Sequence, residues 1–141
     1  MKSNLEKAQE LLKTGGYTCV LCKGDIVVTT CQRGVKPLIE WIDSGNDFSG
    51  YSAADKVIGN GAAFLYVLLN IKEVYASVIS KRAAVTLEKY GISFTYDIMT
   101  DNIRNRDNTG NCPMEEAVAF AKTPRDAERA IRAKILLMSG K

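Results

Sequence analysis

The fold is decided by the stretch EVYASVISKRAAVTLEKYGISFTYDI, which covers residues 73–98. Residues 73–79 are almost continuously apolar, which is typical of a strand buried on both faces. Ser80 is a typical N-cap residue for the helix that follows, and Gly91 ends that helix. A β-rich run over residues 92–98 comes next. A strand, a helix and a strand in this order predict a right-handed crossover between two parallel strands.

Upstream of this unit, the sequence predicts a helix, a β-hairpin and two more helices. The first helix covers residues 3–14, with an N-cap serine and a stripe of leucines and alanine. Two β-rich runs, residues 17–22 and 26–31, flank a short turn and predict an antiparallel hairpin. A short helix is predicted over residues 35–42. A long helix is predicted over residues 52–69, because small and apolar side chains recur there at steps of three and four.

Downstream, a polar loop over residues 101–110 leads to two predicted helices, residues 113–122 and 124–138. The whole chain therefore predicts one α/β domain over residues 1–141, a three-layer α-β-α sandwich. Its mixed sheet combines the N-terminal antiparallel hairpin with parallel strands. Three arginines on the last helix are expected to form a solvated basic face: Arg125, Arg129 and Arg132.

The chain has no histidine among its 141 residues. Histidine is the commonest zinc ligand and the usual general base near neutral pH, so Ser-His and Cys-His nucleophile pairs are excluded. Hydrophobic content of 46% and charged content of 25% are ordinary for a globular domain. We therefore expect a folded domain with no bound metal and no cofactor.

Charge and hydropathy limit the kinds of partner that the protein is expected to bind. The net charge of +3 is too mild to indicate nucleic-acid binding. The sequence shows neither a signal peptide nor a run of about 18 apolar residues, so we expect no membrane partner. We expect the protein to be cytoplasmic. Its four cysteines are then expected to be reduced: Cys19, Cys22, Cys31 and Cys112.

Two short motifs favour packing over chemistry. Cys19-x-x-Cys22 has the spacing of a metal or redox motif, but residues three apart in a strand point to opposite faces. We therefore expect small buried side chains there. Gly59-Asn60-Gly61 lacks the third glycine and the lysine of phosphate-binding loops. It favours close approach of another element, although a ligand or a partner subunit would meet the same requirement.

Cys112-Pro113-Met114-Glu115-Glu116 is the motif most suggestive of chemistry. Proline suits the first position of a helix, which places Cys112 at the N-cap. A thiol there lies over free backbone N–H groups and the positive end of the helix dipole, which favour the thiolate. Cys112 is therefore a candidate nucleophile, with Glu115 as a candidate base. The alternative is an ordinary helix start with a half-buried cysteine, in which Glu115 caps the N-terminus.

Two other segments offer groups that bind anions. Arg106 is a bidentate donor for a phosphate or carboxylate, and Asn105 is able to read an amide-like edge. The alternative for this loop is a solvated turn. Ser80, Lys81 and Arg82 begin a helix whose backbone N–H groups suit an anion, and the alternative is a plain N-cap with solvated charges.

The predicted order of elements resembles the cytidine deaminase-like superfamily, in which a helix and an antiparallel hairpin precede alternating helices and strands on one sheet. The segments that carry the resemblance are residues 55–59, 62–63, 74–80, 105–106 and 112–115. They are similar to a small prokaryotic branch of that superfamily, a domain of unknown function. The resemblance implies a deaminase-like fold. It also implies that Asp55 and Lys56 border the ligand crevice.

The zinc-binding motifs of the deaminases are absent. Those enzymes carry His-x-Glu or Cys-x-Glu at one helix start and Pro-Cys-x-x-Cys at the next. The corresponding starts here are residues 52–56, SAADK, and residues 80–84, SKRAA. Neither offers a soft ligand, so we do not expect a zinc-dependent deaminase. Whether the protein is an enzyme at all stays open at this point.

Three functions compete. The first is binding of a nucleotide-like or phosphate-bearing small molecule at the starts of the predicted helices at Ser52 and Ser80. Asn105, Arg106 and Cys112 are expected to lie near this site. The second is a cysteine-dependent enzyme that uses Cys112 as nucleophile or redox centre, assisted by Glu115 or Asp55. The third is a homodimeric interaction module built on the glycine–alanine helix surface, without catalytic activity.

Overall fold

The computed structural model describes residues 2–103 and 112–139. Within these ranges no helix is both long and apolar enough to cross a membrane. The elements are, in chain order, α1 (Asn4–Thr14), β1 (Cys19–Lys23), β2 (Ile26–Thr30), α2 (Lys36–Ser44), β3 (Ser52–Ile58), α3 (Asn60–Leu68), β4 (Glu73–Ser80), α4 (Lys81–Lys89), β5 (Ser93–Thr100), α5 (Pro113–Ala117) and α6 (Pro124–Ser139).

The sheet is mixed and has five strands in the order β2-β1-β3-β4-β5. β1 pairs antiparallel with β2 and with β3, whereas β3, β4 and β5 pair in parallel. The predicted hairpin and the predicted parallel pair from residues 73–98 are therefore confirmed. Ser80 caps α4 as predicted, because its hydroxyl accepts a hydrogen bond from the backbone N–H of Ala83 at 3.1 Å.

The predicted long helix over residues 52–69 is wrong in its first half. Residues 52–58 form β3, the central strand of the sheet, and the helix α3 begins only at Asn60. Ala53 faces one core of the molecule and Ala54 faces the other. A central strand buried on both faces carries small residues without the alternation that marks a strand, so its pattern merged with that of the helix.

Helices cover both faces of the sheet. α1 packs Ala8 and Leu12 on one face, against the side chains of Val20, Cys22, Ala54 and Tyr75. The larger core lies on the other face, under α2, α3, α4 and α6. Cys19 belongs to this larger core and Cys22 to the smaller one. The prediction that the two thiols point to opposite faces is therefore confirmed.

An arginine clamp fastens α6 to α2. Arg132 donates to both carboxylate oxygens of Asp43, at 3.2 and 2.7 Å, and to Glu128 from Nε and Nη2 at 3.0 and 2.9 Å. Glu128 is 9% exposed and also accepts from Arg125 at 2.7 Å. The expected basic face on α6 is thus partly a structural ion-pair network.

Arg132→Ala is expected to lower the free energy of unfolding by about 1–2 kcal/mol, since a bidentate pair is lost and Glu128 keeps one partner. Urea titration at low salt measures the change. Arg129→Ala is the control, because that side chain is 80% exposed and lies 3.8 Å from its acidic partner. Arg129→Ala should lower the free energy of unfolding by less than about 0.5 kcal/mol. Equal losses of unfolding free energy in the two variants would show that the ion pairs of Arg132 do not stabilise the fold.

Candidate functional site

The carboxyl edge of the parallel strands gathers two helix starts. α3 begins directly after β3, and α4 begins directly after β4. Because β3 and β4 are parallel, the N-termini of α3 and α4 lie at the same edge of the sheet. This is the edge at which open α/β sheets bind ligands. Ser80 lies here, but Ser52 begins β3 at the opposite edge, so the predicted site between Ser52 and Ser80 is wrong.

Glu115 occupies the N-terminus of α3. Its two carboxylate oxygens accept from the backbone N–H of Asn60 at 2.9 and 2.8 Å, and Oε2 also accepts from Gly61 at 3.3 Å. Gly59, the N-cap residue, has no side chain to cap the helix. Glu115 therefore caps α3, not the short helix α5 on which it lies.

Gly59 makes room for this contact, and Gly61 faces Ile131 and Met114. A Cβ on Gly59 would lie 2.7 Å from Oε1 of Glu115. A Cβ on Gly61 would lie 3.4 Å from Cδ1 of Ile131 and 3.7 Å from Cβ of Met114. The predicted close approach of another element is thus confirmed at Gly59, whereas a Cβ on Gly61 would make ordinary contacts. The glycine–alanine surface faces α5 and α6 of the same chain.

A groove of about 560 Å³ runs along α4 on this side of the molecule. Its other walls are α3 and the connection between α5 and α6. The residues that line it are Asn60, Phe64, Lys81, Arg82, Val85, Thr86, Lys89, Tyr90, Ala121 and Lys122. The volume falls within the usual range for small-molecule sites.

The groove is basic. Four of its lining residues are cations and none is acidic. Lys81 forms an exposed ion pair with Asp101 at 2.7 Å, which raises the pKa of the lysine and lowers that of the aspartate. In the described ranges, no carboxylate lies within ion-pair distance of Arg82, Lys89 or Lys122. These cations therefore create a field that attracts anions.

The floor of the groove is buried and partly apolar. Phe64 is 5% exposed and Thr86 is 7% exposed. The hydroxyl of Thr86 donates to Oδ1 of Asn60 at 2.5 Å, which joins α4 to α3. Val85 presents an apolar side chain that is 65% exposed. Ligand groups of low polarity thus find contact area beside the cations.

Cys112 does not line the groove. It is the half-buried N-cap residue of α5, and its side chain makes no capping hydrogen bond. Its backbone N–H donates to the carbonyl of Ile103 at 2.9 Å. The carboxylate of Glu115 is engaged by α3. Asn105 and Arg106 lie outside the described residues.

Asp55 and Lys56 lie on β3, not at the start of a helix. Lys56 is exposed, whereas Asp55 is half-buried. Asp55 accepts a hydrogen bond of 2.7 Å from the hydroxyl of Tyr66. The oxygen of Tyr66 lies 3.1 Å from the thiol of Cys19. These three groups form a polar network between β1, β3 and α3.

Burial dominates the ionisation of this network. It raises the pKa of Asp55 to about 6, although the hydrogen bond from Tyr66 acts in the opposite direction. It also raises the pKa of Cys19 and of Tyr66 well above their ordinary values. Cys19 is therefore held as a neutral thiol. No cluster of three acidic or thiol side chains suited to a metal occurs in residues 2–103 and 112–139.

Sequence reasoning placed two of the groove cations, Lys81 and Arg82, at a helix start that suits an anion, with solvated charges as the alternative. It missed Lys89 and Lys122. A signal for Lys89 was present, because residues 81, 82, 85 and 89 share one side of a helix. No local pattern indicated Lys122, because only the packing of the α5–α6 connection brings this residue to α4.

The fold and the groove define the class of the protein, a mixed α/β domain with a basic groove beside its parallel strands. A family model described as TM1506, domain of unknown function (DUF1893), matches residues 7–135. The chain belongs to the DUF1893 family. It is similar to a DUF1893 family protein (TM1506) from Thermotoga maritima, whose crystal structure was determined at 2.70 Å resolution. The TM-score is 0.85 at 25% identity, over 95% of this chain and 92% of that chain. None of the curated proteins compared with the chain matches it.

Proposed function

We propose that the protein binds a phosphate-bearing small molecule, such as a nucleotide, in the groove along α4. The observation that carries the proposal is the charge of the groove. Three cations without a carboxylate partner in the described ranges line it, and no acidic side chain does. Phosphate is the ligand that lysine and arginine bind best, and arginine binds it bidentately.

The groove also suits the remaining part of a nucleotide. Tyr90 and Phe64 supply aromatic surface, and Val85 and Ala121 supply aliphatic surface. Pockets of mostly apolar lining with a few polar groups are typical for small organic ligands. The N-terminus of α3 is not free for an anion, because the carboxylate of Glu115 already caps it. The anion is therefore placed along α4.

The deaminase-like fold is part of the same proposal. It is supported by the order of elements, in which α1 and the β1–β2 hairpin precede three helix–strand pairs on one sheet. Similarity of fold does not transfer an activity. The proposal is therefore one of binding, and it assigns no reaction.

The proposal is tested by thermal unfolding in the presence of AMP, ADP, ATP and inorganic pyrophosphate. A ligand at a hundredfold excess over its Kd stabilises the folded state by about 2.7 kcal/mol. At least one of the four is expected to raise the Tm. The amide NMR signals of residues 81–89 should shift with the same ligand.

Variants localise the effect. Arg82→Gln and Lys122→Gln should each weaken binding by about tenfold, as expected for a lost charge-assisted hydrogen bond. Lys36→Gln is the matched control, because Lys36 is an exposed lysine on α2 that does not line the groove. A Tm that none of the four ligands changes would contradict the proposal. Equal weakening by all three variants would also contradict it.

A further inference from the structure

The groove along α4 is basic at two separated places. Arg82 lies in the first turn of the helix and Lys89 is its last residue. Seven residues separate them, which corresponds to about 10.5 Å along the axis and almost two full turns. The two side chains therefore lie on the same side of α4, and both line the groove.

The stretch between these two cations is of low polarity. Val85 is midway between them and is 65% exposed, and Thr86 beside it has its hydroxyl engaged by Asn60. Phe64 and Ala121 contribute apolar surface to the same groove. The middle of the groove therefore offers surface of low polarity between the anchor points of the two α4 cations.

Of the two ends of the groove, the one at Arg82 attracts an anion more strongly. The positive end of the helix dipole adds to Arg82, although Asp101 compensates Lys81 in part. Lys89 is a separate charge, whose ammonium lies 5.5 Å from the centre of the Tyr90 ring. The two cations are anchored about 10.5 Å apart along the helix axis, and the exposed apolar side chain of Val85 lies between their anchor points. They match two anionic groups.

We propose that the ligand of this groove carries two anionic groups about 10 Å apart, joined by a spacer of low polarity. This inference rests on the proposed function and narrows its ligand class to bis-anionic molecules, with bisphosphates as the model. One anionic group lies at Arg82 and the first turn of α4. The other lies at Lys89, and the spacer lies over Val85.

The test uses a series of linear alkane bisphosphates with two, four, six or eight methylene groups, and hexyl monophosphate as the reference. Isothermal titration calorimetry at low salt measures each Kd. Affinity is expected to peak at the butane or hexane spacer. The best bisphosphate should bind about tenfold more tightly than the monophosphate, because a second charge-assisted contact is added.

Two variants assign the ends. Lys89→Gln should reduce the affinity of the best bisphosphate to that of hexyl monophosphate and leave the monophosphate unchanged. Arg82→Gln should weaken both ligands, and Lys36→Gln should change neither. Equal affinity of mono- and bisphosphates would overturn this inference and leave the proposed function standing, as would a spacer series without a maximum. Absence of binding by every member, the monophosphate included, would contradict the proposed function itself.

Discussion

Replacing Glu115 with alanine is expected to lower the free energy of unfolding by about 2 kcal/mol. The carboxylate is the cap of α3, and its loss leaves the N–H groups of Asn60 and Gly61 without their acceptor. Loss of a helix cap costs about 0.5–2 kcal/mol, and a negative charge at a helix N-terminus adds to that. Urea titration at pH 7 measures the change.

The neighbouring residue provides a matched control for this prediction. Glu116 is an exposed residue on the same turn of α5. Glu116→Ala removes the same charge from the same helix start, and its cost should stay below about 0.5 kcal/mol. Glu115→Gln should lie between the two, since it retains an acceptor oxygen but loses the charge. Similar costs for Glu115→Ala and Glu116→Ala would show that the cap does not stabilise the fold.

Gly59 gives an independent check on the same contact. A Cβ at this position would lie 2.7 Å from Oε1 of Glu115, and the backbone itself is in an ordinary extended conformation. Gly59→Ala is therefore expected to destabilise the protein by displacing the carboxylate. In the Glu115→Ala background the same substitution should cost much less, because no carboxylate is left to displace. If the losses of stability caused by Gly59→Ala and Glu115→Ala were additive, the two residues would not be in contact.

Local signals in the sequence predicted the elements that have clear boundaries. Ser3 caps α1 in a capping box with Glu6, Ser80 caps α4, and Pro113 opens α5. The hairpin and the parallel pair follow from apolar runs separated by turn residues. These features depend on neighbours within a few positions, so propensity and capping rules suffice to predict them.

The elements and contacts that sequence reasoning missed depend on the rest of the fold. β3 is a strand because β1 and β4 flank it and a core covers each face, although Ala53 and Ala54 have little preference for strands. Glu115 meets Asn60 across 55 positions of the chain. The groove needs α4 and the α5–α6 connection side by side. The cysteine-dependent enzyme and the homodimer stay predictions.

Asp55 is expected to make the protein less stable as the pH rises from 4 to 7. Its pKa is raised by burial from 3.8 to about 6. Between these two values the folded chain holds a proton that the unfolded chain has released. The stabilisation is therefore complete below about pH 3.8 and is lost as the pH rises through 6. The full shift corresponds to about 3 kcal/mol, of which about 2 kcal/mol is lost between pH 4 and pH 7.5.

A comparison with Asp55→Asn isolates this effect from other carboxyl groups. The difference in unfolding free energy between the variant and the unmodified protein should change by about 2 kcal/mol in favour of the variant between pH 4 and pH 7.5. Asp47→Asn is the control of opposite sign, because the backbone N–H of Ser49 lowers the pKa of Asp47. Tyr66→Phe should cost more at pH 7.5 than at pH 4, since a hydrogen bond to an ionised group is worth more than one to a neutral group. A pH-independent difference for Asp55→Asn, with Tyr66→Phe equally costly at both pH values, would show that Asp55 ionises normally and that the network is not coupled to folding.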